Sequence, residues 1–285
     1  MILASPIVHH PLSYNVGPLA FTGFGVAVLL AFVVAQLVGQ RELARRGHDP
    51  EPVSDMIFAA VIGGLLGAKL YYVIVLGNWD ALFTRGGFVF WGGLIGGMLA
   101  VMVVIWRKHI PMMRIFDVGG PAVAAAYAVG RTGCWAVGDD YGKPWPGGFL
   151  AVEFPEGAPP STVGIMQRDF GVQFPAGTDP GSIVAVYPTQ LLEVGLAMVM
   201  FGILWRLRDH KHAEGWLFGV YCVLAGLERF IVEFFRAKDD RFLYGGLSLA
   251  QLIALGFMVL GAVWMWLRKD VTSSRPGIYA ARQAR

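Results

Sequence analysis

PLAFTGFGVAVLLAFVVAQLVGQ, residues 18–40, runs for 23 residues without one Asp, Glu, Lys or Arg. About 20 apolar residues in a helix, rising 1.5 Å each, cross the hydrocarbon of a bilayer. This stretch is therefore read as a membrane-spanning helix. Six further segments follow the same pattern: 53–76, 88–106, 118–137, 188–205, 215–235 and 247–267. The fourth is the least apolar, because it carries Arg131 and several glycines. The composition agrees. Hydrophobic residues make up 55% of the 285, charged residues only 15%, and mean hydropathy is +0.56. A soluble domain carries about a quarter charged residues.

The 38 glycines would weaken helices in water, but small residues let helices approach closely in lipid. The residues before the first segment hold no Lys or Arg. A cleaved signal peptide needs a positive n-region, so the first helix is expected to be retained. A net charge of +3, without a basic run interleaved with aromatics, gives no reason to expect nucleic acid as a partner. Two cysteines, Cys134 and Cys222, both in apolar segments, argue against a disulfide framework.

The expected organisation is helices 1–4 within residues 1–137, an extramembrane head over 138–187, helices 5–7 within 188–267, and a tail over 268–285. The head region is rich in Pro, Gly and Asp, with short strands expected near 150–154 and 182–186. Lys and Arg set the orientation. Arg41, Arg45, Arg46, Arg107, Lys108, Arg114, Arg206, Arg208, Lys211 and the five basic residues of the tail share one side. Arg85, Lys143, Arg168, Arg236, Lys238 and Arg241 share the other. The richer side is cytoplasmic by this rule, and the head faces outward.

Three cations remain inside apolar segments: Lys69, Arg131 and Arg229. An unpaired charge there costs about 2.5–3.5 kcal/mol even on the lenient insertion scale, so each needs a partner or a wet cavity. The acidic candidates are Glu193, Glu228, Glu233, Asp139 and Asp140. In Glu228-Arg229-Phe230-Ile231-Val232-Glu233-Phe234-Phe235-Arg236, helical spacing puts Arg229, Glu233 and Arg236 on one face. Glu233 is expected to orient Arg229 toward a bound anion. The plainer reading is an internal ion pair, with Arg236 an interfacial charge reaching outward.

Gly130-Arg131-Thr132-Gly133-Cys134 leads into Gly138-Asp139-Asp140-Tyr141-Gly142-Lys143-Pro144. Glycines beside an arginine permit close backbone approach, and a guanidinium matches phosphate oxygens, so a phospholipid headgroup is the expected anion. The plainer alternative is a helix end with Asp139 as a cap. In Tyr187-Pro188-Thr189-Gln190-Leu191-Leu192-Glu193, Pro188 suits a first helical turn, while Gln190 and Glu193 share a face. The glycines of residues 86–97 read as tight helix packing. All six histidines lie outside the spans without metal-ligand spacing, and no phosphate-binding loop or dinucleotide fingerprint occurs. No metal and no cofactor are expected.

Taken together, these patches resemble the bacterial prolipoprotein diacylglyceryl transferases. The resemblance covers Gly17-Pro18-Leu19, the glycine-rich third helix, 130–144, 188–193 and 229–236. It implies a seven-helix inner-membrane enzyme with a periplasmic head and a cytoplasmic C-terminus. Its activity would move the diacylglyceryl group of phosphatidylglycerol to the lipobox cysteine of a prolipoprotein signal peptide, forming a thioether and releasing glycerol phosphate. The resemblance makes Arg131 and Arg229 the essential arginines and Gly142 the signature glycine. Asp139 stands where the family has a glutamate, and Gln190, Glu193 and Glu233 match polar positions.

The chemistry fits that reading. A thiol with a pKa near 8.5 must lose its proton, and buried guanidinium groups suit an anionic leaving group. Three departures stand out: Trp91 and Tyr187 occupy histidine positions of the family, and Cys134 an asparagine position. Asp139, Asp140, Glu193 or a base from bulk would then take the proton. Cys134 is a small buried hydrophobe or a covalent nucleophile. Tyr14 and Tyr141 line the headgroup site or belong to the aromatic belt, and Lys69 is a third cation for the substrate. Two other functions fit the residues: transfer to another acceptor or lipid, and lipid binding or transport without catalysis.

Overall fold

The structure is a computed structural model that describes residues 7–16, 19–84, 87–237 and 245–270. Gly17, Pro18, Arg85, Gly86, Lys238, Arg241 and the tail beyond 270 lie outside the described residues.

Among the described residues, seven long helices and one short one carry the fold, which is that of an all-α polytopic membrane protein. They are α1 (Gly23–Arg45), α2 (Glu51–Leu76), α3 (Phe90–Arg107), α4 (Met112–Val137), α5 (Val163–Phe170), α6 (Thr189–Leu207), α7 (Trp216–Val232) and α8 (Leu249–Leu267). Among them α1, α2, α3, α6 and α8 are long and apolar enough to cross a membrane. The helices α4 and α7 carry Arg131 and Arg229.

Local chemistry explains where the observed ends depart from the expected ones. Thr22 accepts a hydrogen bond from the Gly25 amide and caps α1, so the helix starts at Gly23 rather than residue 18. The residues ahead of it form an antiparallel pair, β2 (Ser13–Val16) with β3 (Leu19–Thr22). The helix α4 begins at Met112, six residues before its apolar run, because Pro111 precedes it and the polar residues of its first turns find partners in the fold, Arg114 with Glu214 and Asp117 with Arg46. The helix α7 ends at Val232, not 235: the Phe234 and Phe235 amides bond three residues back, to the Ile231 and Val232 carbonyls, and the Phe235 carbonyl then accepts from the Lys143 amide.

Glycines bring α2 and α3 together. A methyl group on Gly67 would stand 2.3 Å from the Gly92 carbonyl, and one on Gly96 would stand 2.3 Å from that of Gly63. The backbones touch, as the sequence pattern implied. On the other side, small α4 residues Ala124 and Ala128 meet Ala197, Met200 and Leu204 of α6 and Leu217 and Val220 of α7. The helix α4 therefore sits among α1, α6 and α7.

Residues 138–187 insert between α4 and α6. Here β4 (Val152–Glu153) pairs in parallel with β1 (Ile7–Val8), so the N-terminal segment joins the insert. The strand expected at 182–186 is reduced to single bridges, Val152 with Val186 and Thr162 with Ile183. A core of Tyr141, Val152, Phe154, Met166, Val186 and Ala237 holds the insert together.

Candidate active site

The site forms where the insert folds back onto the ends of α4, α6 and α7. The helix α4 ends at Gly138, whose positive φ of 69° turns the chain, and Asp140 follows at φ 60°. That region is costly for most side chains and tolerable for Asp. Two hydrogen bonds from α6 pin the turn: the Thr189 hydroxyl donates to the Asp140 carbonyl at 2.7 Å, and the Gln190 amide to the Asp139 carbonyl at 2.7 Å. Gly142 then bridges to Arg236 as a short antiparallel contact. A methyl group on Gly142 would lie 2.4 Å from the Phe235 carbonyl and 2.8 Å from both Thr189 and Tyr187. Only glycine fits there.

This geometry gathers four charged side chains. Arg131 donates to the Asp140 carboxylate at 2.8 Å and is in direct contact with Glu193. Arg236 donates to the other Asp140 oxygen at 3.0 Å and stands 4.0 Å from Glu193. Glu193 is 2% exposed, so its charge is tolerable only because two guanidinium groups face it. Beside them Arg229 pairs with Glu233 at 2.6 Å, one turn apart on α7. Tyr127, one turn before Arg131 on α4, donates to Glu228, the residue before Arg229 on α7, at 3.5 Å, which joins the two arginine-bearing helices here.

The two aspartates of the turn differ in electrostatics. Burial alone would lift the Asp140 carboxyl, but Arg236 and Arg131 outweigh it and hold Asp140 below its ordinary value. Burial first, and the Asp140 charge second, raise the Asp139 carboxyl. Its Oδ1 accepts from the Asp140 amide at 2.7 Å, so the Asp139 carboxylate serves the turn rather than an arginine.

Among the expected site residues, the structure brings Arg131, Asp139, Gln190, Glu193 and Gly142 together, with Arg229 and Glu233 alongside. Three lie elsewhere. Tyr141 points into the insert core, stacks on Phe154 and donates its hydroxyl to the Pro160 carbonyl at 2.9 Å. Lys69 is buried on α2 and donates to the Thr84 carbonyl at 2.7 Å. Tyr14 is exposed on β2 beside a groove of about 600 Å³ that Thr132 and Trp135 also line.

One further expectation is corrected. Arg236 does not reach outward along the face of Arg229: the helix has already ended, and Arg236 turns inward to Asp140. Asp140, one acid among several in the sequence, is the hub. Its single legible signal was its place beside the glycine-rich turn. Cys134 is buried and its sulfur accepts from Arg131 at 3.3 Å, which suits the small-hydrophobe reading. Tyr187 stacks face to face on Trp145 at 4.2 Å, and Trp91 is exposed on α3. No three His, Cys, Asp or Glu side chains converge as metal ligands among the described residues.

A profile of the prolipoprotein diacylglyceryl transferase family matches residues 11–267. The chain belongs to the prolipoprotein diacylglyceryl transferase family. Similar proteins include phosphatidylglycerol–prolipoprotein diacylglyceryl transferases of Clostridium tetani (29% identical, covering 88% of this chain and 94% of that one) and Paraburkholderia phymatum (30%, covering 93% and 96%). One of Symbiobacterium thermophilum is 30% identical over 92% of this chain and 95% of its own. The match to the diacylglyceryl transferase family runs from the N-terminal strands through α8, so it includes every element that builds the arginine cluster.

Proposed function

We propose that this chain transfers the diacylglyceryl group of phosphatidylglycerol to the lipobox cysteine thiol of a prolipoprotein, with a thioether and glycerol phosphate as products. The observation that carries the reading is the set of three guanidinium groups, Arg131, Arg229 and Arg236, gathered at one end of the bundle in a protein of this family. The phosphate of the lipid binds at Arg229, whose side chain is 36% exposed and so reachable. The thiol sulfur attacks the glyceryl carbon that bears the phosphate. A C–S bond forms, the C–O bond breaks, and the electron pair leaves on the phosphate oxygen, where preorganised cations stabilise it. Gln190, Gly142 and Asp139 set the turn that presents Asp140, and Asp140 in turn aims Arg131 and Arg236.

In this reading α4 and α7 cross the bilayer with the five more apolar helices, giving seven spans. The insert faces the periplasm, the C-terminus lies in the cytoplasm, and the membrane is the bacterial inner membrane, as the balance of Lys and Arg supports. Purified protein incubated with phosphatidylglycerol and a lipobox peptide should yield diacylglyceryl-peptide by mass spectrometry, together with free glycerol phosphate. No product, while an active relative makes it in parallel, would sink the proposal. The aromatic residues at 91 and 187 favour a second reading, a changed acceptor preference, and exchanging the peptide in the same assay separates the two.

A further inference from the structure

The reaction must take a proton from the acceptor thiol, and the carboxylates already described are held by other groups. Asp140 and Glu193 hold Arg131 and Arg236, and Glu233 holds Arg229. Protonating any of them would strand a guanidinium group without its counter-ion. Asp139 accepts from a backbone amide. One acid near the arginines differs. Glu228 on α7 is 7% exposed and, among the described residues, makes no ion pair within 4.0 Å. Its partner is the Tyr127 hydroxyl, which donates to Oε1 at 3.5 Å.

Position adds to this. Tyr127 lies one turn before Arg131 on the same face of α4, and Glu228 immediately precedes Arg229 on α7, so the Tyr127–Glu228 contact joins the two helices that carry those arginines. The charged and titratable groups around it are Tyr127 and Arg131 from α4, with Arg229 and Tyr221 from its own helix. The helix α8 meets α7 here through the backbone and apolar groups, Gly226 against Ala254 and Met258.

Resting on the reaction proposed above, we infer that Glu228 is the proton acceptor for the substrate thiol, with Tyr127 as its positioning residue. The S–H proton passes to the Glu228 carboxylate as the sulfur pair forms the C–S bond. The C–O pair leaves with glycerol phosphate, and Glu228 returns the proton to that departing phosphate or to water.

The test is the full-length Glu228→Gln protein in mixed micelles of phosphatidylglycerol. Glutamine keeps the shape and can still accept from Tyr127, but it cannot take the proton. With a cysteine lipobox peptide near neutral pH, turnover should fall by about 100-fold or more, the scale of a lost general base, while the KM for lipid stays unchanged. The deficit should shrink as the pH passes the thiol pKa of about 8.5. It should also shrink with a selenocysteine lipobox peptide, whose selenol is already ionised at neutral pH. Tyr127→Phe should show a smaller loss with the same recovery. Wild-type turnover in Glu228→Gln at neutral pH would overturn the assignment. So would an equal loss with thiol and selenol at every pH, because that marks a structural role. If the unmodified protein makes no product from either peptide, the transfer reaction itself fails, and that outcome is visible without the variants.

Discussion

Two clusters of buried charge stand at opposite ends of the bundle, and they differ in what they leave open. At the end away from the insert, Glu42 is fully buried and takes hydrogen bonds from Arg45 at 2.6 Å and Arg46 at 2.9 Å. Asp117, also fully buried, faces Arg46 at 3.5 Å and His210 at 3.3 Å and accepts from the Phe218 amide at 3.2 Å. Both acids are sealed, and they tie α1, α4 and the start of α7 together. At the insert end the acids Glu193 and Glu233 are also buried, but the side chains of Arg229 and Asp140 are each 36% exposed. In one cluster the arginines are 25% and 10% exposed and bound to acids, while in the other Arg229 is open enough for an anion to reach. Buried charge alone therefore does not mark a site, and an unsealed guanidinium group among buried acids does.

The comparison breaks most visibly at Arg131. Arg131→Gln removes the cation that both Asp140 and Glu193 face, so turnover should be abolished and the fold weakened by about 3–5 kcal/mol, the cost of breaking a buried pair on one side. Arg229→Gln should also lose turnover, by about 100-fold or more, with a smaller drop in thermal midpoint because its end of the pair is open. Equal midpoints for the two variants would show that exposure does not separate them. At the sealed end, Asp117→Asn should cost about 1.5–3 kcal/mol of stability, while the folded protein turns over lipid at the wild-type rate. A turnover defect in folded Asp117→Asn would give the sealed cluster a part in the chemistry.

Gly142→Ala sharpens the comparison at the backbone. Its added methyl would meet the Phe235 carbonyl, which no side-chain rotation relieves. The bridge to Arg236 must then shift, and misplacing that guanidinium by about 1 Å should cost roughly 10- to 100-fold in turnover. Steady-state assays with matched lipid content would show it. An unchanged rate would mean that the Gly142–Arg236 bridge does not aim the site.

Why such a position was legible as important, yet not legible in its role, comes from how far each signal reaches along the chain. Membrane spans declare themselves locally, since each residue of α1 or α3 contributes its own transfer free energy. The arginines were legible for the same reason, as local anomalies. The pairing of Arg131 and Arg236 through Asp140 depends on a left-handed turn after Gly138 and on a strand-like contact between residues almost a hundred apart. Helical periodicity extended α7 through Arg236 because nothing local stops it. The chain instead tightens after Val232 and is then held by the Lys143 amide, far away in sequence. Tyr141 likewise looked like a headgroup ligand until the insert core surrounded it.

The smallest expected effect concerns the two adjacent aspartates, and its sign is what matters. Asp140 has a lowered folded-state value, so the stability it contributes is fully present above the unfolded value of about 3.9 and is lost as pH falls through the lower folded one. Asp139 has a raised value, so the fold favours its protonated form. Its contribution is fully present below about 3.9 and is lost as pH rises through the folded value. At neutral pH the Asp139 charge is a cost, and replacing it removes that cost while Asn still accepts from the Asp140 amide. Asp139→Asn should therefore raise the thermal midpoint slightly at neutral pH, by no more than about 1 kcal/mol because solvent screens a partly exposed group. The gain should vanish in acid below the ordinary carboxylate range. Asp140→Asn should lower the midpoint at neutral pH, with the loss likewise shrinking only at acid pH. Thermal unfolding of the three proteins across this range decides it, and a destabilising Asp139→Asn at neutral pH would mean that the Asp139 carboxylate serves an arginine after all.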